Sequence, residues 1–162
     1  MRKLAALLLL AAAAVLGGNS LLGSGAGAGG GTSTARVQRV VDGDTIVLAG
    51  GERVRYIGMD TPESVKPGTP VQCFAKAAAR ENERLIGGQE VRLRYDAERR
   101  DRYGRLLAYV YRAGDGLFVN AELVRLGYAR TLTIPPDVAH ADEFRRLARA
   151  ARAAGRGLWS AC

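Results

Sequence analysis

Histidine is almost missing from this chain of 162 residues: His140 stands alone, and no Gly-x-Ser-x-Gly occurs. That scarcity argues against Ser-His or Cys-His nucleophilic chemistry and against a histidine-rich transition-metal centre. Cysteine occurs only at Cys73 and Cys162, too few for a structural zinc site. In an oxidising compartment the two could pair and staple Cys162 to the element holding Cys73; two free thiols are the alternative. Lysine is confined to positions 3, 66 and 76, so arginine carries nearly all the positive charge. The apolar run from Leu4 to Leu16 falls short of the roughly 20 residues that cross a membrane. Any catalysis therefore rests on carboxylates and arginines.

What is present divides into three parts. Arg2 and Lys3 precede the short apolar run, so residues 1–22 read as a signal peptide, with an uncleaved N-terminal membrane anchor as the alternative. No cysteine lies near that run, which argues against a lipid-anchored lipoprotein. Residues 23–34 are rich in glycine and contain nothing that fills a core, so they read as a flexible linker. Residues 35–162 form the expected domain, placed outside the cytoplasm as a secreted, periplasmic or cell-surface protein. The formal net charge of +8 suits a polyanionic partner, nucleic acid first and an anionic membrane or wall polymer second.

Along the domain, β-branched residues mark strands at 35–41 and 45–48, and the Gly50-Gly51 turn leads to a strand at 53–58. Pro62 stops the ladder and puts 60–63 in a loop, followed by the turn-rich stretch 64–70. Pro70 suits the first turn of a helix running to Ile86. Alternation predicts a half-buried strand at 89–96, and a more apolar one follows at 105–112. Asn120 is a candidate cap for a short helix closed by Gly127, and 128–133 reads as a further strand. Asp137 is a candidate cap for a last helix over 138–154 with Phe144, Leu147 and Ala151 on one face. Antiparallel strands closing on themselves with helices outside suggest a small α+β barrel of the OB type.

The residues able to do chemistry cluster between 42 and 63. A hard cation such as calcium takes carboxylates, carbonyls and waters. Asp44 at a strand start and Asp60 at a strand end could converge on one ion if their strands are neighbours. Arg55 lies between them, Arg105 opens a later strand, and a guanidinium fork grips two phosphate oxygens at once. Glu63 is the candidate base. Each feature also has a plainer reading: Asp42 and Asp44 as turn formers, Asp60 to Glu63 as a helix cap, Arg55 as an outward strand residue, 99–105 as a solvated loop. On spacing alone the residues amount to a basic exported barrel with a candidate cation site.

Four motifs sharpen this: "VVDGDTIVL", "VRYIGMDTPE", "DRYGRLLAYVY" and "VNAELVRLGYA", in that order. Together they resemble the staphylococcal nuclease (thermonuclease) family, with an SNase-like domain, over residues 36–159. The resemblance implies a five-stranded OB-fold barrel with three α-helices and a calcium-dependent endonuclease hydrolysing DNA and RNA to 3′-phosphate ends as a monomer. It makes Asp44 and Asp60 the Ca2+ carboxylates and Thr61 the carbonyl ligand. Arg55 and Arg105 become the phosphate-gripping pair, Glu63 the general base and Tyr103 a phosphate contact, with Asp42 supporting the ligands. A noncatalytic nucleic-acid-binding module is the alternative; relatives of this fold that only bind tend to lose these acidic and arginine positions, which are retained here. Leu132-Thr133-Ile134 stands where the staphylococcal enzyme has base-holding tyrosines, and the loop 65–70 is shorter. His140 is expected to be structural.

Overall fold

The computed structural model describes residues 31–64, 68 and 70–162. The expected signal or anchor, most of the expected linker, and positions 65–67 and 69 of the turn-rich stretch lie outside the described residues. Among the described residues no helix is long and apolar enough to cross a membrane.

Strands β1 (Thr32–Val40), β2 (Thr45–Leu48), β3 (Arg53–Tyr56), β6 (Leu106–Arg112) and β5 (Glu90–Arg94) close into a barrel in that order. Three helices pack outside it: α1 (Ala75–Ile86), α2 (Val119–Arg125) and α3 (Ala141–Ala153). A short fourth, α4 (Leu158–Ala161), follows them. The five-stranded OB-type barrel expected from sequence is the fold observed.

Local chemistry accounts for most elements. Strand β5 alternates outward Glu90, Arg92 and Arg94 with Val91 and Leu93, which are buried inside the barrel. Helix α1 turns Ala75, Ala78, Asn82, Leu85 and Ile86 inward, a helical stripe with one polar member. The core joins Ile46, Val54, Tyr56, Leu93, Val110, Leu123 and Phe144 from both sheet and helices.

Several expectations give way to tertiary contacts. β1 begins at Thr32, inside the stretch read as linker, because Thr32 to Arg36 pair with β5. β3 and β6 run parallel, with Arg55 beside Leu107, whereas all strands were expected antiparallel. The chain leaves β3 through Gly58, at φ 83, where a Cβ would lie 2.2 Å from the Phe144 ring. That turn splits the expected strand 53–58, and β4 (Met59–Asp60) instead pairs with β7 (Arg130–Thr131).

Helix α1 starts five residues after Pro70 because Phe74 takes a left-handed backbone, φ 69, which no helix continues through. Asn120 is not a cap: it is buried inside α2, where its Oδ1 accepts the Val110 N–H at 2.9 Å and its Nδ2 donates to the Ile57 carbonyl at 3.0 Å. Asp137 is not a cap either, since α3 begins at Ala141; its carboxylate accepts the Glu98 N–H at 2.8 Å.

Candidate active site

The site grows from the turn before β2. Asp42 accepts the Asp44 N–H on Oδ1 at 3.0 Å, an Asx turn that fixes the direction of the Asp44 side chain. Gly43, between them, is required by space: a Cβ there would stand 2.6 Å from Thr61 Cγ2 and 2.8 Å from Ala78 Cβ. From α1, Asn82 Nδ2 donates to the Asp42 carbonyl at 3.0 Å, and Asn82 Oδ1 accepts the Tyr56 hydroxyl at 2.9 Å. Asn82 is fully buried, so this relay ties the acidic turn to the barrel interior. Sequence reasoning missed Asn82, although a lone asparagine in an otherwise apolar helical stripe was a usable signal.

Asp44 is only 4% exposed, yet its charge is well met. Its Oδ2 accepts both the Thr61 N–H and the Thr61 hydroxyl at 2.8 Å, and its Oδ1 accepts the Thr45 hydroxyl at 3.2 Å. Arg55 completes the set. Its Nη1 pairs with Asp44 Oδ1, while its Nη2 donates to Asp60 Oδ1 at 2.6 Å. Cross-strand pairing of Thr45 with Arg55 brings the arginine to the turn, and pairing of Asp60 with Arg130 anchors the other carboxylate. Burial pushes the Asp42 carboxyl up from the usual range, opposed by the Arg55 charge and a Thr45 hydrogen bond and reinforced by the Glu63 charge.

Arg105 arrives from elsewhere in the chain. The "DRYGR" segment is solvated, as its plainer reading had it, and is also a tight turn: Asp101 Oδ1 accepts the N–H groups of Tyr103 and Arg105 at 2.9 and 3.0 Å, and its Oδ2 accepts Arg105 Nε at 2.7 Å. Parallel pairing of β3 and β6 brings the start of β6 to the end of the barrel that holds Arg55, and the Arg105 and Arg55 side chains line the same two cavities. Asp101, missed from sequence, acts by aiming that guanidinium.

These elements converge on a polar cleft of about 170 Å³ lined by Asp42, Asp44, Thr45, Arg55, Asp60, Thr61, Pro62, Glu63 and Arg105. A groove of about 600 Å³ adjoins it and shares Arg55 and Arg105. Arg102, Tyr103, Leu132 and Ile134 also line the groove, and the last three of these are exposed. Tyr103 therefore belongs to the groove and not to the acidic cleft; its ring lies 5.4 Å from the Arg105 guanidinium. His140 is remote from the cleft's lining. It packs against Tyr109, Phe118 and Phe144, and its Nδ1 lies 2.8 Å from Glu143. Cys73 and Cys162 are bonded to each other, with Cα atoms 5.9 Å apart.

No group of three or more His, Cys, Asp or Glu side chains close enough to hold a metal occurs among the described residues. The groups that do meet are carboxylate oxygens, those of Asp44 and Asp60, joined through Arg55. Such a set fits a hard cation that fills its shell with carbonyls and water, and it does not fit a soft or imidazole-seeking metal.

A family model described as "Staphylococcal nuclease homologue" matches residues 53–161. The chain belongs to that family. It is 49% identical over 114 residues to the thermonuclease of Staphylococcus intermedius, covering 68% of this chain and 64% of that protein. Against the thermonuclease of Staphylococcus hyicus it is 40% identical over 130 residues, 78% of this chain and 76% of that one. Against endonuclease YncB of Bacillus subtilis (strain 168) it is 39% identical over 129 residues, 76% of this chain and 60% of that one. The chain thus spans less than two thirds of two of these three relatives. The family match begins at Arg53, so Asp42 and Asp44 are tied to the site by the geometry above.

Proposed function

We propose that the chain is a calcium-dependent phosphodiesterase that cleaves DNA and RNA with little sugar or sequence preference. The observation that carries this reading is the meeting of Asp44, Asp60, Arg55, Arg105 and Glu63 in one cleft. Beside it lies a groove whose cationic and apolar lining matches a phosphate chain and its bases. The family relationship supports it, since relatives of similar sequence are named thermonuclease and endonuclease.

In this reading Asp44, Asp60 and the Thr61 carbonyl hold Ca2+, which when bound supplies positive charge to a phosphoryl oxygen. Glu63 accepts the proton of the attacking water. Arg55 and Arg105 neutralise charge that builds on the other phosphoryl oxygens as the bond to the leaving group lengthens. Arg55 spends two of its five N–H donors on Asp44 and Asp60 in this arrangement, leaving the others for phosphate. Asp42 orients Asp44 through its backbone N–H. Tyr103, at the groove, contacts the neighbouring phosphate. Departure of the 5′ oxygen leaves 3′-phosphate ends. Export of the domain, as a secreted or surface-tethered monomer, accords with the basic charge and the N-terminal sequence.

The test is hydrolysis of single-stranded DNA and RNA by purified protein, with calcium or with a chelator, and with the product ends analysed. Calcium-dependent cleavage to 3′-phosphates is expected, and Glu63→Gln should lower kcat by about 10²–10⁴-fold. Binding without cleavage would identify a noncatalytic module instead, and undiminished cleavage in chelator would remove the cation from the mechanism.

A further inference from the structure

Glu63 is gripped from behind by a residue to which the proposed chemistry gives no part. Gln72 Oε1 accepts the Glu63 N–H at 2.8 Å, and the Gln72 N–H donates to the Glu63 carbonyl at 2.9 Å. This reciprocal pair fixes the backbone that carries the candidate base. The next residue along is Cys73, bonded to Cys162. Phe74 follows in its left-handed conformation, with its ring 5.2 Å from that of Tyr128. The far end of the disulfide is itself anchored: Leu158 of α4 is buried, and its N–H donates to the Gly127 carbonyl at 2.9 Å. Gln72, Cys73 and Cys162 are all exposed, so the bond that tethers this segment is open to a solvent-borne reductant.

We propose that Gln72 is a positioning residue for Glu63, and that the Cys73–Cys162 disulfide holds Gln72 in place. The inference rests on the reading of Glu63 as the general base. A dithiol reductant would pass two electrons and two protons to the sulfurs. The S–S bond would break to two thiols while the reductant closed to its own disulfide. Phe74 still packs against Tyr128 after that step, so the barrel persists while the clamp on Glu63 loosens. A base displaced from its working position loses rate rather than substrate affinity.

Three variants test it: Gln72→Met, which keeps the side-chain length and removes the acceptor; Gln72→Glu, which keeps an acceptor oxygen; and the pair Cys73→Ser with Cys162→Ser. For each, kcat and KM on single-stranded DNA, the thermal midpoint and amide hydrogen exchange at Glu63 are measured. Gln72→Met should lower kcat about tenfold at unchanged KM and speed Glu63 exchange, and Gln72→Glu should restore both. The serine pair should lower kcat alone and add nothing in the Gln72→Met background. Unchanged Glu63 exchange in Gln72→Met, or kcat losses that multiply, would overturn the proposal. The exchange measurement does not depend on catalysis: a fully active Glu63→Gln protein would remove the base assignment and leave the clamp result standing.

Discussion

Replacing Asn82 by leucine removes two hydrogen bonds while nearly conserving volume at a site with no solvent. The Tyr56 hydroxyl loses its acceptor and the Asp42 carbonyl loses its donor, both on the interior side of the acidic turn. Tyr56 is wholly enclosed, with burial driving its phenol pKa far upward, so water cannot replace the acceptor. An orphaned buried polar group costs about 1–3 kcal/mol; with the Tyr56 hydroxyl fully buried and the Asp42 carbonyl part-buried, the two together cost about 3 kcal/mol. That is a large share of a typical 5–15 kcal/mol total. With a urea slope of about 1.5 kcal/mol per molar, the midpoint should fall by about 2 M at unchanged slope. The decisive arm is the cycle with Tyr56→Phe. Removing both hydroxyl and amide leaves one orphan fewer, so the double variant should be more stable than the sum of the single losses by about 1–2 kcal/mol. Strict additivity would refute the relay. Because Asp42 orients Asp44, Asn82→Leu should also depress hydrolysis under conditions where the variant is fully folded.

Gly43→Ala should destabilise by about 1–3 kcal/mol, read by thermal melting, since the new methyl group meets Thr61 and Ala78 well inside contact distance. Leu132→Tyr, at the exposed edge of the larger groove, should tighten single-stranded oligonucleotide binding by about 1–3 kcal/mol in a titration, the worth of one stacked base. Asp115 is held at a pKa of about 2 by hydrogen bonds from Arg112 and the Leu117 N–H. A carboxylate depressed on folding stabilises above its unfolded pKa and loses that contribution as pH falls through the folded value. Asp115→Asn should therefore flatten the decline in stability between pH 3.8 and about 2, followed by urea midpoints.

Much of this arrangement was legible because it is local. The alternation in β5, the hairpin through Gly50 and Gly51, and the run from Asp42 to Glu63 all place neighbours in sequence as neighbours in space. The sequence motifs also named the cleft's acidic and arginine residues. What escaped prediction depends on contacts between distant segments. Asn120 and Asp137 have the chemistry of helix caps, yet each instead satisfies backbone N–H groups of remote strands and loops, a choice only the packed core makes. The parallel run of β3 beside β6 leaves no trace in either strand's pattern, because a buried strand looks the same whichever way its neighbour points. Asn82 and Gln72 lie outside the quoted motifs and act on the site through another residue's backbone, while Asp101, inside one, shows its role only once its contact with Arg105 is seen.

The parallel partnership of β3 and β6 also bears on when the cleft comes into being. Asp44, Arg55 and Asp60 can meet as soon as the first hairpin forms, but Arg105 joins them only after α1 and β5 have been laid down and β6 has docked alongside β3. Pairings of such long sequence separation are the slow ones in folding, since chain entropy is lost before the contacts compensate. A chain whose first hairpin has formed but whose barrel has not closed therefore holds the acidic cluster without its second guanidinium. Until the barrel shuts, the cleft lacks the second guanidinium on which the proposed hydrolysis relies.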